Sequence, residues 1–195
     1  MNSTFSDEDR QYLQMGRNDL NSFVKKAAAE IPVKKGRLLE IGAQGRSEVQ
    51  VAFNGFDIQS FDIVNTHNPD FLGDLTTHNA EIPNQAFDVI ACLEVLEHTV
   101  QPFDAVAELR RMLRDGGYLI ISAPLNFRIH GPIPDCWRFT EFGWRVLLKD
   151  FDILKIEELK TPSRPLFPIK YNLLARCNHA KQIRAQDLVF SPVKM

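Results

Sequence analysis

The sequence predicts an α/β fold whose mostly parallel sheet carries helices on both faces. Short, continuously apolar segments alternate along the chain with segments of helical period. Parallel strands are buried on both sides and therefore appear as unbroken apolar runs, which is the pattern here. The chain has 195 residues, of which 44% are hydrophobic, so its size suits one globular domain. We therefore predict a single domain over residues 1–195, with a helical segment at 1–35, a core at 36–160 and a basic segment at 161–195.

Helices are predicted where apolar residues recur every three to four positions and a capping or helix-stopping residue is present. The predicted ranges are Gln11–Glu30 (as one helix or two), Gly45–Phe53, a third helix that ends before Gly116–Gly117, and Thr140–Lys149. In the third helix the inner face is expected to carry Phe103, Val106, Leu109 and Leu113. In the fourth, Thr140 is the expected N-cap, and the inner residues are Phe142, Val146 and Leu147.

Strands are predicted where a short apolar run ends at a glycine, a carboxylate or a turn. Parallel strands are expected at Arg37–Ile41, Phe56–Ile63, Phe87–Cys92 and Tyr118–Ser122, with a further short strand at Phe71–Asp74. Two late strands, Phe151–Glu157 and Tyr171–Ala175, are expected to form an antiparallel pair. Sheets of this kind bind ligands outside the carboxyl ends of their strands, so the residues that follow each strand are the candidates for function.

Acidic residues follow successive predicted strands. Gly42 ends the first strand and lets the backbone turn close to a ligand. Asp62 ends the second, where a carboxylate can accept both hydroxyls of a ribose, and Asp74 and Glu94 follow later strands. Each acid alone is typical of a solvated loop or a helix cap, but together they indicate a nucleoside site. The dinucleotide fingerprint G-x-G-x-x-G is not met at Gly42, which argues against a nicotinamide or flavin pyrophosphate.

Two segments carry a resemblance to a known family. These are F-D-V-I-A-C-L-E-V-L-E-H at 87–98 and E-L-R-R-M-L-R-D-G-G-Y-L at 108–119. The chain resembles a class I S-adenosylmethionine-dependent methyltransferase of a small, broad subgroup, from about Gly36 to Phe151. The resemblance implies a Rossmann-like, seven-stranded, mostly parallel sheet and S-adenosylmethionine as cofactor. The chain departs from the family pattern E-x-G-x-G-x-G, with Gln44 and Arg46 at the second and third glycine positions.

The resemblance assigns a different part of the cofactor to the residues at each strand end. The turn at Glu40–Gly42 would hold the methionine moiety, Asp62 the ribose, and Asp74 with Leu75 the adenine. Gln44 is expected either to narrow the approach to the amino-acid moiety or to hydrogen-bond it. The full set of expected cofactor-binding residues is Glu40, Gly42, Ala43, Gln44, Asp62, Ile63, Asp74, Leu75, Leu93 and Glu94.

A second block, H-G-P-I-P-D-C-W-R-F-T at 130–140, follows the fifth strand. It resembles the H-x-x-P-x-D-Y-W-R-F-T block of bacterial methyltransferases often associated with sugar and surface-glycan pathways, with Cys136 in place of the tyrosine. Two interpretations are open. In one, Trp137 and Phe139 anchor the loop in the core while Asp135 pairs with Arg138; in the other, the loop carries active-site groups.

His98 and His130 are the expected catalytic residues, because an imidazole titrates near working pH and can take a proton from a hydroxyl. A metal site is the less favoured alternative. Glu94, Glu97 and His98 would share one helix face, and His130 would complete the site. The E-x-x-E-H spacing resembles that of metal-assisted small-RNA 2′-O-methyltransferases and quinone-pathway O-methyltransferases. The favoured prediction has no metal: Glu97 and His98 orient the helix, and Glu94 faces the cofactor.

The predicted function is methyl transfer from S-adenosylmethionine to a hydroxyl of a sugar-like or other small polar acceptor. Two alternatives stay open: a methyltransferase fold that binds cofactor or a partner without turnover, and a metal-assisted RNA 2′-O-methyltransferase. The formal net charge of −2 argues against a nucleic-acid partner.

Cell location and assembly are predicted from composition. No apolar run approaches the ~20 residues that span a bilayer. The widely spaced Cys92, Cys136 and Cys177 are expected to be free thiols in a reducing compartment, so we predict a cytoplasmic protein. The basic segment is expected to close over the acceptor pocket, to pack on a second subunit in a homodimer, or to form a solvated end.

Overall fold

The computed structural model describes residues 6–43, 48–131, 134–184 and 187–188. Its helices are α1 (Asp7–Glu30), α2 (Glu48–Ala52), α3 (Pro102–Met112) and α4 (Glu141–Leu147), and a single 3₁₀ turn spans Leu96–His98. Its strands are β1 (Gly36–Ile41), β2 (Phe56–Asp62), β3 (Phe71–Leu72), β4 (Phe87–Leu93), β5 (Leu113–Pro124), β6 (Phe151–Leu159) and β7 (Lys170–Cys177).

The strands form one seven-stranded sheet in the order β3-β2-β1-β4-β5-β7-β6. Strands β1 to β5 pair in parallel, whereas β7 runs antiparallel to both β5 and β6. The predicted seven-stranded, mostly parallel sheet is thereby confirmed. From β1 the chain proceeds outward to β2 and β3 and then returns to the other side of β1 as β4. This reversal of strand order opens a crevice at the carboxyl ends of β1 and β4, where such sheets bind ligands.

Helices cover both faces of the sheet, as predicted. Val89 and Ala91 of β4 pack on one side with Phe23 of α1. Ile90 and Cys92 point to the other side and pack with residues of α3 and α4. Because alternate residues of a strand point to opposite faces, the nearly continuous burial of β4 follows directly from its two covered faces.

The junction of α3 and β5 differs from the prediction. α3 ends at Met112, and Leu113 already belongs to β5, where it lies opposite Phe87. The strand then continues through Gly116–Gly117, which were expected to stop the helix. Phe103 is 56% exposed and does not belong to the inner face of α3. The predicted helix end was wrong because the partner of Leu113 comes from β4, a tertiary contact that no local spacing records.

Caps set the start of α1 and α4. A capping box at Ser6–Asp9 begins α1, which is one helix rather than two. The backbone N–H of Gly143 donates to Oγ1 of Thr140 at 3.2 Å, which confirms the predicted cap of α4. Trp144 is the fully buried side chain of this helix, whereas Phe142 is 40% exposed. The predicted inner position of Phe142 was wrong because residues two apart point to opposite sides of a helix.

The three cysteines are free thiols, as predicted. Cys92 and Cys177 are buried, and burial raises the pKa of both, to about 11 for Cys177. Cys136 is exposed. None of the helices in the described residues is both long enough and apolar enough to cross a bilayer.

Candidate active site

The carboxyl ends of β1, β2 and β3 lie side by side. The backbone N–H of Gly42 donates to the carbonyl oxygen of Phe61 at 2.8 Å, and that of Gly73 donates to the carbonyl oxygen of Asp62 at 3.0 Å. Each bond joins the residue after one strand to the end of its neighbour. The residues predicted to bind the cofactor after these strands therefore lie along one edge of the sheet.

A cavity of about 430 Å³, the inner cavity, opens at this edge between β1 and β4. Its walls include Glu40, Gly42, Leu93 and Glu94, all of them predicted cofactor residues. Gly42 has a φ of +65°, and a Cβ at this position would lie 2.9 Å from Cγ2 of Val95. Glycine is therefore required for β1 to end in this turn.

The other predicted cofactor residues that the structure describes do not line the inner cavity. Asp62 ends β2, and its Oδ1 accepts a hydrogen bond from the backbone N–H of Val64 at 3.1 Å. Asp74 accepts from the backbone N–H and the hydroxyl of Thr76, both at 2.8 Å, so its carboxylate caps its own turn. Leu75 is buried in the core and Ile63 is exposed. Ala43 follows Gly42 in the turn, and Gln44 lies outside the described residues.

Glu94 is held away from the helical face that the metal alternative required. It adopts a left-handed backbone conformation, with a φ of 57°, directly after β4. Its Oε1 accepts from the hydroxyl of Ser122 at 2.8 Å and lies 2.9 Å from Nζ of Lys170. The expected helix at 94–98 is only the 3₁₀ turn, so Glu94 and Glu97 do not share a helix face.

Glu97, His98 and His130 form a compact group beside the inner cavity, the Glu97–His98–His130 cluster. Oε1 of Glu97 lies 3.8 Å from Nε2 of His98 and 4.0 Å from Nε2 of His130. The two imidazole rings meet edge to face, with 4.9 Å between their centres. His130 also lines the inner cavity. The two predicted catalytic histidines therefore lie next to each other.

The carboxylate of this cluster is in an unfavourable electrostatic position. The Glu97 side chain is fully buried, and neither of its oxygens has a hydrogen-bond partner among the described residues. Burial raises the pKa of Glu97 to about 8, and the nearby carboxylate of Glu94 adds to the increase.

The loop at 130–140 is fastened to the turn that carries Glu97. The backbone N–H groups of Cys136 and Trp137 donate to the carbonyl oxygen of Glu97 at 2.7 and 3.2 Å. The indole N–H of Trp137 donates to the carbonyl oxygen of Thr99 at 2.9 Å. These bonds bring His130 to a turn that is more than thirty positions earlier in the chain.

An ion pair within the loop at 130–140 stabilises its conformation. The guanidinium of Arg138 binds both oxygens of Asp135, with 2.7 Å between Nη2 and Oδ2. These hydrogen bonds hold the pKa of Asp135 well below its usual range. The predicted pairing of Asp135 with Arg138 is confirmed. Phe139 is buried as the core anchor, whereas Trp137 is 40% exposed and stacks on Phe139.

A second and larger cavity of about 660 Å³, the outer cavity, adjoins the first. Tyr12, Phe127 and Ile169 line both cavities. The rest of its lining is mainly polar and aromatic, with Leu125 and Ile129 as aliphatic members; the polar and aromatic side chains include Asp9, Arg128, Trp137, Arg138 and Phe167. Thr161 and Arg164, from the start of the basic segment, also line it. The first part of that segment thus lies over this cavity.

A family model described as a methyltransferase domain matches residues 10–158. The chain belongs to the methyltransferase domain family. The family match and the sheet order together make it a class I S-adenosylmethionine-dependent methyltransferase, as the resemblance implied. S-adenosylmethionine is the cofactor that the family implies. No curated protein matches this methyltransferase.

Solved structures of the same fold include enzymes of different chemistry. The (4+2)-cyclase SpnF is 17% identical, with a TM-score of 0.62, and the match covers 81% of this chain and 80% of that one. The 1,6-didemethyltoxoflavin-N1-methyltransferase of Burkholderia thailandensis, solved with S-adenosylhomocysteine, is 15% identical, with a TM-score of 0.59 and coverage of 91% and 93%. A SAM-dependent methyltransferase of Aquifex aeolicus is 15% identical, with a TM-score of 0.58 and coverage of 82% and 89%. At these identities the likeness establishes the fold alone.

Two cations of this methyltransferase that line the inner cavity were not predicted from the sequence. Arg17 of α1 makes no hydrogen bond or ion pair with any residue that the structure describes, and it reaches the cavity together with Leu13 and Leu20. The available signal was the spacing of these three residues, which puts them on one helix face. Lys170 begins β7 and is 3% exposed. No pattern in the neighbouring sequence predicts that Lys170 lies next to Glu94.

We expect Lys170→Met to lower the free energy of unfolding by about 2 kcal/mol, because it leaves the partly buried Glu94 carboxylate without its cation. The double variant Lys170→Met/Glu94→Gln should recover most of that loss, since it removes the unpaired charge. Urea denaturation of the three proteins measures both effects. Lys25→Met, which changes an exposed lysine of α1, is the control and should unfold like the wild type. A double variant no more stable than Lys170→Met would contradict this account.

Proposed function

We propose that this methyltransferase transfers the methyl group of S-adenosylmethionine to a hydroxyl of a small polar, sugar-like acceptor. The observation that carries the proposal is the juxtaposition of two cavities with a carboxylate–imidazole cluster. The inner cavity adjoins the strand ends that bind nucleosides in this fold, and the outer cavity has polar and aromatic walls. His130 lines the inner cavity, and its loop neighbours Asp135 and Trp137 line the outer one.

The cofactor is proposed to follow the edge of the sheet. Its methionine end would occupy the inner cavity beside Glu40, Gly42 and Ala43, where the guanidinium of Arg17 can bind the α-carboxylate. The ribose would bind Asp62, which the hydrogen-bonded strand ends hold next to the glycine turn. The adenine would lie beyond it, in contact with Ile63, Asp74 and Leu75, while Leu93 and Glu94 contribute the opposite wall.

Methyl transfer from a sulfonium is a direct displacement. The bond between the methyl carbon and sulfur breaks as the bond to the acceptor oxygen forms, and S-adenosylhomocysteine leaves as a neutral thioether. The donor is already activated, so much of the rate comes from holding oxygen, carbon and sulfur in line. A hydroxyl acceptor must also lose its proton. We assign the release of that proton to the Glu97–His98–His130 cluster, which lies beside the inner cavity.

The walls of the outer cavity favour a polar acceptor with an apolar face. The exposed ring of Trp137 has one face stacked on Phe139, which leaves the indole available as a flat contact surface. Asp9 and Arg164 bring opposite charges to the same cavity and can bind hydroxyls as acceptor and donor. This combination suits a sugar-like molecule, which has hydroxyls at its rim and apolar C–H faces.

The proposal is tested by calorimetry with S-adenosylhomocysteine, followed by methyl transfer from labelled S-adenosylmethionine to a panel of small polyols, sugars and amines. We expect one cofactor product bound per chain and label transferred to a hydroxyl acceptor. Absence of S-adenosylhomocysteine binding would overturn the assigned cofactor site. Binding without label transfer to any acceptor would favour the alternative of a silent methyltransferase fold, and label found on amines alone would overturn O-methylation.

A further inference from the structure

The Glu97–His98–His130 cluster has the composition and spacing of a metal site. Among the described residues, it is the one group of three histidine, cysteine or acidic side chains whose ligand atoms all lie within 4.8 Å of one another. Three ligand atoms around a tetrahedral ion, each bonded at about 2.1 Å, are roughly 3.4 Å apart. The separations of 3.8 and 4.0 Å from Oε1 of Glu97 exceed this by roughly 0.5 Å, and all three ligand atoms lie within 4.8 Å of one another, so side-chain shifts of about 1 Å would bring them into coordination distance.

The imidazole of His98 is oriented as a metal ligand is. Its Nδ1 lies 2.7 Å from the carbonyl oxygen of Pro134. Because a carbonyl can only accept, Nδ1 carries the proton, and the lone pair is on Nε2, which faces Glu97. Metal-bound histidines nearly always direct their other nitrogen to a carbonyl or a carboxylate in this way. Nδ1 of His130 lies 3.2 Å from Oδ2 of Asp135 but makes no hydrogen bond with any described residue, because that oxygen accepts from the backbone N–H of His130 at 2.9 Å.

Glu97 supplies the second, independent observation. Its side chain is completely buried, and both oxygens lack a hydrogen-bond partner among the described residues. The guanidinium of Arg138 is engaged by Asp135, and the ammonium of Lys170 is engaged by Glu94. A buried carboxyl group without a hydrogen-bond partner is costly for a fold. A divalent cation between the carboxyl group and the two imidazoles would stabilise its ionised form and satisfy the oxygen.

We propose that the cluster binds one divalent transition-metal ion through Oε1 of Glu97 and the Nε2 atoms of His98 and His130. Two imidazoles and one carboxylate suit Zn²⁺ or Mn²⁺ and leave at least one coordination position open. Ion binding itself does not depend on the acceptor. Its role in catalysis rests on the proposed function: the open position would take the acceptor oxygen, and the ion would lower the pKa of the bound hydroxyl. The proton would then leave to solvent, while the cluster holds the ion.

The proposal modifies the four-residue metal hypothesis that the sequence suggested. Glu94 is excluded from the ligand set because Lys170 and Ser122 hold its carboxylate. Asp135 lies behind His130 and accepts a hydrogen bond from the backbone N–H of that residue at 2.9 Å, so it positions the loop rather than binding the ion. Neither assignment could be made from the E-x-x-E-H spacing, which presumed a regular helix.

The test titrates chelator-treated full-length protein with Zn²⁺ by calorimetry and with Co²⁺ by visible absorption. We expect one ion per chain, and the absorption should indicate nitrogen and oxygen ligands. Glu97→Gln and His130→Ala should each weaken binding by about 100-fold or more, since even the loss of an orienting group costs 10- to 100-fold. His130 is partly exposed on a loop, so its variant remains informative if Glu97→Gln folds poorly. Cys136→Ser is the matched control for the nearby thiol and should bind like the wild type.

Two results would overturn the inference: no stoichiometric ion in the wild type, or equal affinity in the wild type and both cluster variants. A loss of binding in Cys136→Ser alone would also overturn it, because the thiol would then be the ligand. S-adenosylhomocysteine is titrated into the same samples. If the ion binds and S-adenosylhomocysteine does not, the proposed function fails while the metal site stands. If S-adenosylhomocysteine binds and the ion does not, the metal site fails while the proposed cofactor site stands.

Discussion

Replacing His130 with alanine is expected to slow methyl transfer about 1,000-fold, within the range that the loss of a proton-transferring group causes. His130 lines the inner cavity, and its Nε2 faces the carboxylate of Glu97 at 4.0 Å. The same loss follows if the ring holds a metal ion that activates the hydroxyl, because removing a ligand removes the ion. The affinity for S-adenosylhomocysteine should stay within a small factor of the wild type, since the cofactor contacts are assigned to the strand ends. Initial rates at saturating cofactor, with calorimetry on the same preparations, measure both quantities.

His67→Ala is the matched control for this experiment. His67 is exposed in the loop after β2, and it makes no hydrogen bond or ion pair with any part of the chain that the structure describes. Its activity should equal that of the wild type. Equal activity in His130→Ala and the wild type would contradict the assignment of His130. A parallel loss of S-adenosylhomocysteine binding and activity would show that the ring supports the cofactor site instead.

Asp62→Ala is expected to weaken S-adenosylhomocysteine binding by about 100-fold, because two charge-assisted hydrogen bonds to the ribose hydroxyls, at roughly 1.5 kcal/mol each, would be lost. Asp62 ends β2 beside the turn at Gly42, to which the strand is bonded through Phe61. Asp62→Asn keeps one acceptor oxygen and should lose less affinity. Calorimetry at constant pH and salt gives the dissociation constants.

Asp57→Ala is the control for charge on the same strand. Asp57 is exposed near the opposite end of β2, so its removal changes the net charge of the protein by the same amount without touching the carboxyl end of the strand. It should bind S-adenosylhomocysteine like the wild type. If Asp57→Ala and Asp62→Ala reduce affinity equally, the effect comes from overall charge, and Asp62 does not bind the ribose.

Much of the fold was predictable because its determinants are local. The apolar run at 89–93 requires a strand covered on both faces, and the acid or glycine after each run marks a carboxyl end. The same reasoning was wrong at Leu113, where pairing with Phe87 overrides a helical pattern and two following glycines. Helix and strand propensities are weak compared with the hydrogen bonds and packing of a paired strand. The helix therefore ends at Met112, and Leu113 pairs with β4 instead.

The candidate site also combines features set by the local sequence with features set by tertiary contacts. The sequence by itself determined the strands and the order of the acids and glycine that follow them, because each depends on a few consecutive residues. Only the tertiary structure decided which side chains meet. It brought His130 to Glu97 through backbone bonds from Cys136 and Trp137 to a distant turn, and it turned Glu94 toward Lys170. Contacts between distant segments depend on packing and on the hydrogen bonds that buried groups must find, and local spacing does not contain that information.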